Sequence, residues 1–344
     1  MPMNTAPDPE MVPETGPEAS QAALGPRPRV SIGLPVYNGE NYMAAAIEGV
    51  LNQTFSDLEL IVCDDASTDR TAEICREYMA RDNRIRYHRN ERNRGAAPNY
   101  NNLVRMARGE YFKWIAHDDV ITPDYLAKTV DALDRRPEAV LAHSRIRVID
   151  KDAQELTVYE NALPPTAGGQ QSQRFAGVVL DRYAHHAFFG LIRVDALRKT
   201  PLHKSYAGGD RALVVFLALL GPFVHIPEPL YWQRHHPDRY YVKVSARERA
   251  AWHDRENTMI VASPLWHLYR ELIWGVRTYV PDRDERMRCY RHLAHWWSFD
   301  LNGVRVAVEL VEPMAPWASS VALRVKRFFA GSKDEALSAE EHRK

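Results

Sequence analysis

The 344-residue chain has only three cysteines, Cys63, Cys75 and Cys289, and no C-x-x-C pair. That spacing argues against a structural zinc site and a disulfide scaffold, and suits a reducing compartment. Charge of one sign is also missing: 45 Lys and Arg balance 45 Asp and Glu. Wrapping duplex nucleic acid needs a basic excess, so nucleic acid is not an expected partner. Long apolar runs are absent. The longest, Ala212 to Leu220, stops at Gly221-Pro222, well short of the about 20 residues that a bilayer span requires. No G-x-G-x-x-G follows the first strand pattern, which disfavours a nicotinamide dehydrogenase. No glycine-rich basic loop stands there either, as a nucleotidyltransferase would be expected to show. Residues 1–28 lack an apolar core with basic flanks and are rich in Pro, Glu, Ala and Gly. They read as a disordered leader, not a secretory signal.

What remains is an ordinary globular composition, 45% hydrophobic and 26% charged, long enough for about two domains. Val30, Ile32, Leu34 and Val36 alternate as in a strand, and Ile47, Val50 and Leu51 fall at helical spacing. Leu58 to Cys63 is a short apolar run, followed by Ser67-Thr68-Asp69 as caps for a helix reaching about Arg81. Ile85 to Tyr87 is a strand. A helix is expected from Pro98 to Arg108 with Gly109 as its cap, and a strand from Tyr111 to Ile115. Thr122-Pro123 opens another helix, and Val140 to Ala142 is a further strand. Strands alternating with helices predict an α/β fold with a mostly parallel sheet flanked by helices. Ligands then bind outside the carboxyl ends of the strands. After about Val244 the pattern is helical, broken at Pro264, Pro281 and Pro313. The expected organisation is a leader over 1–28, a catalytic domain over 29–244, a C-terminal helical appendage over 245–330 and a flexible tail over 331–344.

Two acid pairs fall where such a sheet would bind a ligand. Asp64-Asp65 follows the second strand, and Asp118-Asp119 follows the strand ending at Ile115. Adjacent carboxylates repel unless a cation or donor relieves them. A hard divalent ion, Mg²⁺ or Mn²⁺, would do so at Asp118-Asp119 and keep positions open for substrate phosphates. The plainer reading is that these acids cap helices and meet solvent. Asp65 is suited to accept a hydrogen bond from a base N–H. Asp210, after Gly208-Gly209 and before the apolar helix, reads equally as an N-cap or a general base. In Arg234-His235-His236-Pro237 the histidines read as pyrophosphate or metal contacts, or as ordinary loop residues.

The ordered series is more telling than its parts. Val30-Ser31-Ile32-Gly33-Leu34-Pro35-Val36-Tyr37-Asn38, Leu51 to Phe55, Asp64 to Asp69, Asn93-Arg94-Gly95, Ala107 to Tyr111 and His117-Asp118-Asp119 together resemble the family 2 glycosyltransferases of the GT-A fold. The resemblance covers about Arg29 to His236. It implies inverting sugar transfer from a nucleotide-diphosphate sugar, a UDP- or dTDP-sugar, to a glycan, lipid-linked or small-molecule acceptor in polysaccharide, cell-envelope or glycolipid synthesis. Pro35, Tyr37 and Asp65 would hold base and ribose, with Asn38 and Asn93 counted in the same donor site. Asp118 would meet the diphosphate and Asp119 the divalent ion. Asp210 would be the catalytic base, and the His235 region would close over the diphosphate. Three positions depart from the family pattern: Ala116 where many members have an acid, Tyr100 where many have Arg, and Gly209 where many have Glu before the base. The rival reading is a catalytically degenerate sugar-nucleotide or glycan binding protein of the same fold, kept open by Ala116.

Trp317, Val321, Val325 and Phe328 recur at helical spacing near Arg324, Lys326, Arg327 and Lys333. Such a stripe packs on the catalytic domain or lies on an anionic membrane surface. The expected location is accordingly the cytoplasm, with peripheral contact at the inner face of the membrane as the second placement. Residues 150–174 and the helical tail are the expected places for acceptor recognition.

Overall fold

The computed structural model describes residues 26–159, 169–181, 184–237, 252–255, 263–298 and 302–311. Most of the leader, the tail stripe from Trp317 to Phe328 and the segment 331–344 lie outside the described residues, as do residues 160–168 of the expected acceptor loop. The alternating segment Val30–Val36 forms β1 and is buried on both faces. It is flanked in parallel by β2 (Leu58–Asp64) and β4 (Tyr111–Trp114), with Val30 level with both Leu58 and Tyr111. β3 (Ile85–Arg89) extends the sheet beside β2. Buried parallel strands read as near-continuous apolar runs, which is why this half was visible in the sequence.

The other half is mixed. The strand order is β3-β2-β1-β4-β8-β6-β9-β5, with β7 (Glu155–Tyr159) on β6. β8 (Leu191–Arg193) runs against both β4 and β6 (Leu141–Ile149), so β6 runs with β4. β9 (Phe223–Arg234) is parallel to β6, while β5 (Val120–Ile121) and β7 run against their neighbours. Six of the nine strands therefore point one way, and their carboxyl ends share an edge.

Helices cover both faces. α1 (Met43–Leu51), α2 (Thr71–Arg81) and α4 (Tyr125–Asp134) bury apolar residues such as Ile47, Cys75 and Leu126 on one side. α3 (Ala96–Met106), α5 (Gln171–Val179) and α7 (Gly209–Leu220) lie on the other, and the short α6 (Val194–Leu197) adds Val194 and Leu197 to that core. α3 starts two residues before Pro98, and α4 two residues after Pro123. Gly109 does not cap a helix: a Cβ there would lie 2.7 Å from the Ser31 nitrogen, so close backbone approach requires glycine. All of Ala212 to Leu219 is buried, and each large side chain in such a run contributes about 1.5–3 kcal/mol.

In the appendage, Pro264 starts α8 (Pro264–Tyr279) and Pro281 separates it from α9 (Arg283–Ser298), which α10 (Asn302–Val311) follows. Leu268, Leu272, Val276, Cys289 and Leu293 enter the same apolar cluster as α5 and α7. All three cysteines are free and buried, and burial pushes each thiol up to about 12. Among the described residues no helix is long and apolar enough to cross a membrane.

Candidate active site

At the carboxyl end of β1 the chain turns through Tyr37 and Asn38, the latter at φ 53°. Asn38 ties this turn to the one after β2: its N–H donates to Ser67 Oγ and its side-chain oxygen accepts from the Thr68 N–H, both at 2.9 Å. Pro35 is buried in β1, and Tyr37 is 42% exposed at the lip. Asp65 is buried. Its carboxylate accepts from Asn90 Nδ2 at 2.8 Å and from the Arg94 and Gly95 N–H groups at 2.9 Å. Asn93 closes this loop by accepting from the Gly95 N–H at 3.2 Å. Asp64 takes a different role, receiving Ser67 N–H and Tyr87 O–H, with the Arg89 guanidinium 3.5 Å away.

The second acid pair divides its labour. Asp119 is only 1% exposed. It accepts from Tyr231 O–H at 2.6 Å and from the Arg234 N–H at 2.9 Å. Below it, Lys113 is fully enclosed, its ammonium against the Phe189 carbonyl and over the rings of Tyr125 and Tyr231. Burial drives its pKa well down, opposed in part by Asp119. Asp118 reaches outward instead, with Oδ2 3.0 Å from Nε2 of His236. His236 therefore meets the acid pair. His235 is exposed and donates its N–H to the Ile149 carbonyl at 2.7 Å. Tyr42 packs on the His236 ring at 4.7 Å and carries the Arg234 guanidinium on its face at 5.0 Å.

Among the described residues no group of three or more His, Cys, Asp or Glu side chains could hold a metal ion. A cage built by protein alone is thus absent from them. Mg²⁺ and Mn²⁺ do not need one, because one or two carboxylates plus substrate phosphates suffice. Asp118, its Oδ2 positioned by Nε2 of His236, supplies a carboxylate that fits that lighter demand.

Asp210 stands in the first turn of α7, after Gly208 at φ 104°. Gly209 explains the missing Glu: a Cβ there would lie 2.3 Å from the Lys204 carbonyl oxygen. Facing Asp210 are two buried histidines, His203 and His253. Burial lowers both pKa values, His253 to about 4, while Asp210 pulls each upward. Asn101 grips the His203 backbone with two 2.9 Å bonds. Tyr100 packs on His203, Phe188 and Trp114 rather than offering a cation. A line of ring contacts, Tyr231 to Phe189 to Phe188 to His203, links the Asp119 end of the edge with the Asp210 end. Sequence reasoning missed Tyr42, Lys113, His203, Tyr231 and His253. Only His236 left a signal, as one half of the His-His pair.

The family model described as Glycosyl transferase family 2 matches residues 31–199. A chondroitin synthase of Escherichia coli is 35% identical over 131 residues, 38% of this chain and 19% of that protein. The putative glycosyltransferase EpsE of Bacillus subtilis is 34% identical over 125 residues, 36% of this chain and 45% of its own. The matched stretch is thus less than half the length of either relative. Among solved structures, residues 1–349 of S. aureus TarS in complex with UDP-GlcNAc are similar at a TM-score of 0.60 and 14% identity, covering 85% of this chain and 83% of that one. The mannosyltransferase PcManGT of Pyrobaculum calidifontis, with GDP-Man and Mn²⁺, is similar at 0.51 and 16%, covering 89% and 83%. These likenesses establish a shared GT-A fold.

Proposed function

Because residues 31–199 belong to glycosyltransferase family 2, we propose that the protein transfers a sugar from a nucleoside-diphosphate sugar to an acceptor hydroxyl with inversion at the anomeric carbon. The observation that carries this reading is the gathering of Asp65, the Asp118–His236 pair and Asp210 at one edge of the sheet, joined by the ring contacts that run from Tyr231 to His203. Pro35, Tyr37, Asn38, Asp65 and Asn93 hold the base and ribose. Asp118, positioned by His236, would hold the Mg²⁺ or Mn²⁺ ion. Asp119, expected from the sequence to be the ligand, is fixed beside Asp118 by Tyr231 O–H and the Arg234 N–H and would share the ion with it. When bound, the ion neutralises charge on the leaving diphosphate.

Asp210 takes the proton of the acceptor hydroxyl as that oxygen bonds to the anomeric carbon and the bond to the diphosphate oxygen breaks on the opposite face. No glycosyl-enzyme is formed, and no second carboxylate close to the first is required. The chondroitin synthase relative and the UDP-GlcNAc-bound neighbour favour a UDP-sugar and an acceptor in polysaccharide or cell-envelope synthesis. A lipid-linked acceptor would draw the protein to the inner face of the membrane.

Calorimetry with UDP-, dTDP- and GDP-sugars in Mn²⁺, Mg²⁺ or EDTA tests the reading. Binding of one nucleotide class, weakened by EDTA, is expected, followed by transfer of the opposite anomer as seen by NMR. Folded protein that binds no donor would leave the degenerate binding protein as the better description.

A further inference from the structure

The four residues Trp252–Arg255 come from the far side of the family-matched segment, yet they lie across the donor end of the site. The Arg255 N–H donates to the Arg94 carbonyl at 3.0 Å. Asp254 backbone atoms pack so closely on Gly95 that a Cβ there would lie 2.9 Å from them. The His253 ring stacks on His203 with centroids 6.2 Å apart. This strap therefore touches the loop that donates two N–H groups to Asp65 and also the histidine beside Asp210. Its docking uses the backbone and His253, which leaves the Arg255 side chain for something else. That side chain is exposed, and its guanidinium sits over the Tyr37 ring at 5.8 Å from the centroid. Among the described residues it makes no hydrogen bond or ion pair.

The neighbouring cations are engaged. Arg89 faces Asp64, and Arg234 donates to the carbonyls of Asp118, Asp150 and Lys151. Arg255 thus brings an unspent planar cation to the exposed face of Tyr37, next to Asp65. A guanidinium plane stacks on aromatic faces, nucleobases included, and lysine does not reproduce that geometry.

We infer that Arg255 is a donor-binding residue: its guanidinium, together with the Tyr37 ring, covers the nucleobase of the nucleoside diphosphate, and the strap Trp252–Arg255 is the outer wall of the donor pocket. This deepens the transferase reading and rests on it. The test is calorimetry of UDP, dTDP, GDP and inorganic pyrophosphate with wild type, Arg255→Ala, Arg255→Lys and the exposed control Arg270→Ala, all checked for folding by thermal melts. For the nucleotide that wild type binds, Arg255→Ala should weaken affinity about tenfold, the usual scale of one base-stacking partner. Arg255→Lys should recover little of it, and Arg270→Ala should match wild type. Pyrophosphate affinity should not move. Equal loss for pyrophosphate would place Arg255 on the phosphates and overturn the base assignment. Wild-type affinity in Arg255→Ala would overturn the inference alone, whereas a wild-type protein that binds no nucleotide would bring down the transferase reading with it.

Discussion

The two ends of the same co-directional strands are wired in opposite ways. At the amino edge, acids meet arginines. Glu59, 2% exposed, receives Ser31 O–H at 2.6 Å and the guanidinium groups of Arg86 and Arg108 at 3.0 Å. Arg29 joins Glu110 and Asp134, and Arg193 bonds the Ala139 and Leu133 carbonyls. A cleft of about 560 Å³ opens at this edge, lined by Arg29, Arg108 and Arg193, whose guanidinium groups are already committed. At the carboxyl edge, Asp65 and Asp119 are held by N–H and O–H donors, and the arginine of β9 is spent on carbonyls. Ion pairs at one end close the sheet. At the other, neutral donors hold the carboxylates in place.

The sharpest way to break this contrast is at Asp210. Asp210→Asn should leave donor affinity unchanged and lower turnover by about 10²–10⁴-fold, the range of a general base, in single-turnover assays. If turnover survived, the carboxylate would be only a helix-end group and the two edges would differ less than they look.

At the opposite edge, Glu59→Ala strands two arginines and should cost about 3–5 kcal/mol in denaturant unfolding, with kcat of the folded enzyme preserved. A loss of activity without a loss of stability would invert the assignment. Tyr231→Phe removes one bond to the buried Asp119 carboxylate, and should cost about 1.5–3 kcal/mol of stability by the same method.

The smallest effect is a titration. Burial pushes Glu59 up, but the Ser31 hydroxyl, the Arg108 N–H and Arg86 outweigh it and hold its pKa below the ordinary glutamate value. A depressed folded pKa gives stability that is complete above the unfolded value of about 4.3 and is lost as pH falls through the folded one. Melting temperature should therefore fall more steeply below about pH 4 in wild type than in Glu59→Gln, whose residue 59 carries no proton equilibrium. Parallel curves would show that Glu59 is not the group whose protonation loosens the sheet.

How much of this was legible in the sequence follows the same division. β1, β2 and β4 announce themselves because both faces are buried and their side chains are almost all apolar. β9 did not. Its Pro227 and Pro229 argue against a strand inside a sheet, yet the register jumps from Ser144↔Ile226 to Ile146↔Tyr231, so the prolines bulge out of the ladder. The acid pairs were visible because they follow strands. Which of two adjacent acids, or of His235 and His236, faces the cleft depends on the path of the backbone after β4 and β9, which composition does not encode. Lys113 was hidden in an apolar run, and a buried lysine is paired only through tertiary contacts. The strap had no pattern at all: four residues carry no periodicity, and their partners Tyr37, Gly95 and His203 are distant in the chain.

The bond between Arg255 N–H and the Arg94 carbonyl also sets a timetable. A nascent chain emerges from its amino end at about 5–20 residues per second. β1, β2, β3 and β4 are all out by residue 114 and can pair at once. The groove they form stays open on one side until the ribosome has released Arg255, some 140 residues later by number. A β1–β4 sheet that paired at once would hold its carboxylates without that wall for about 7–28 s.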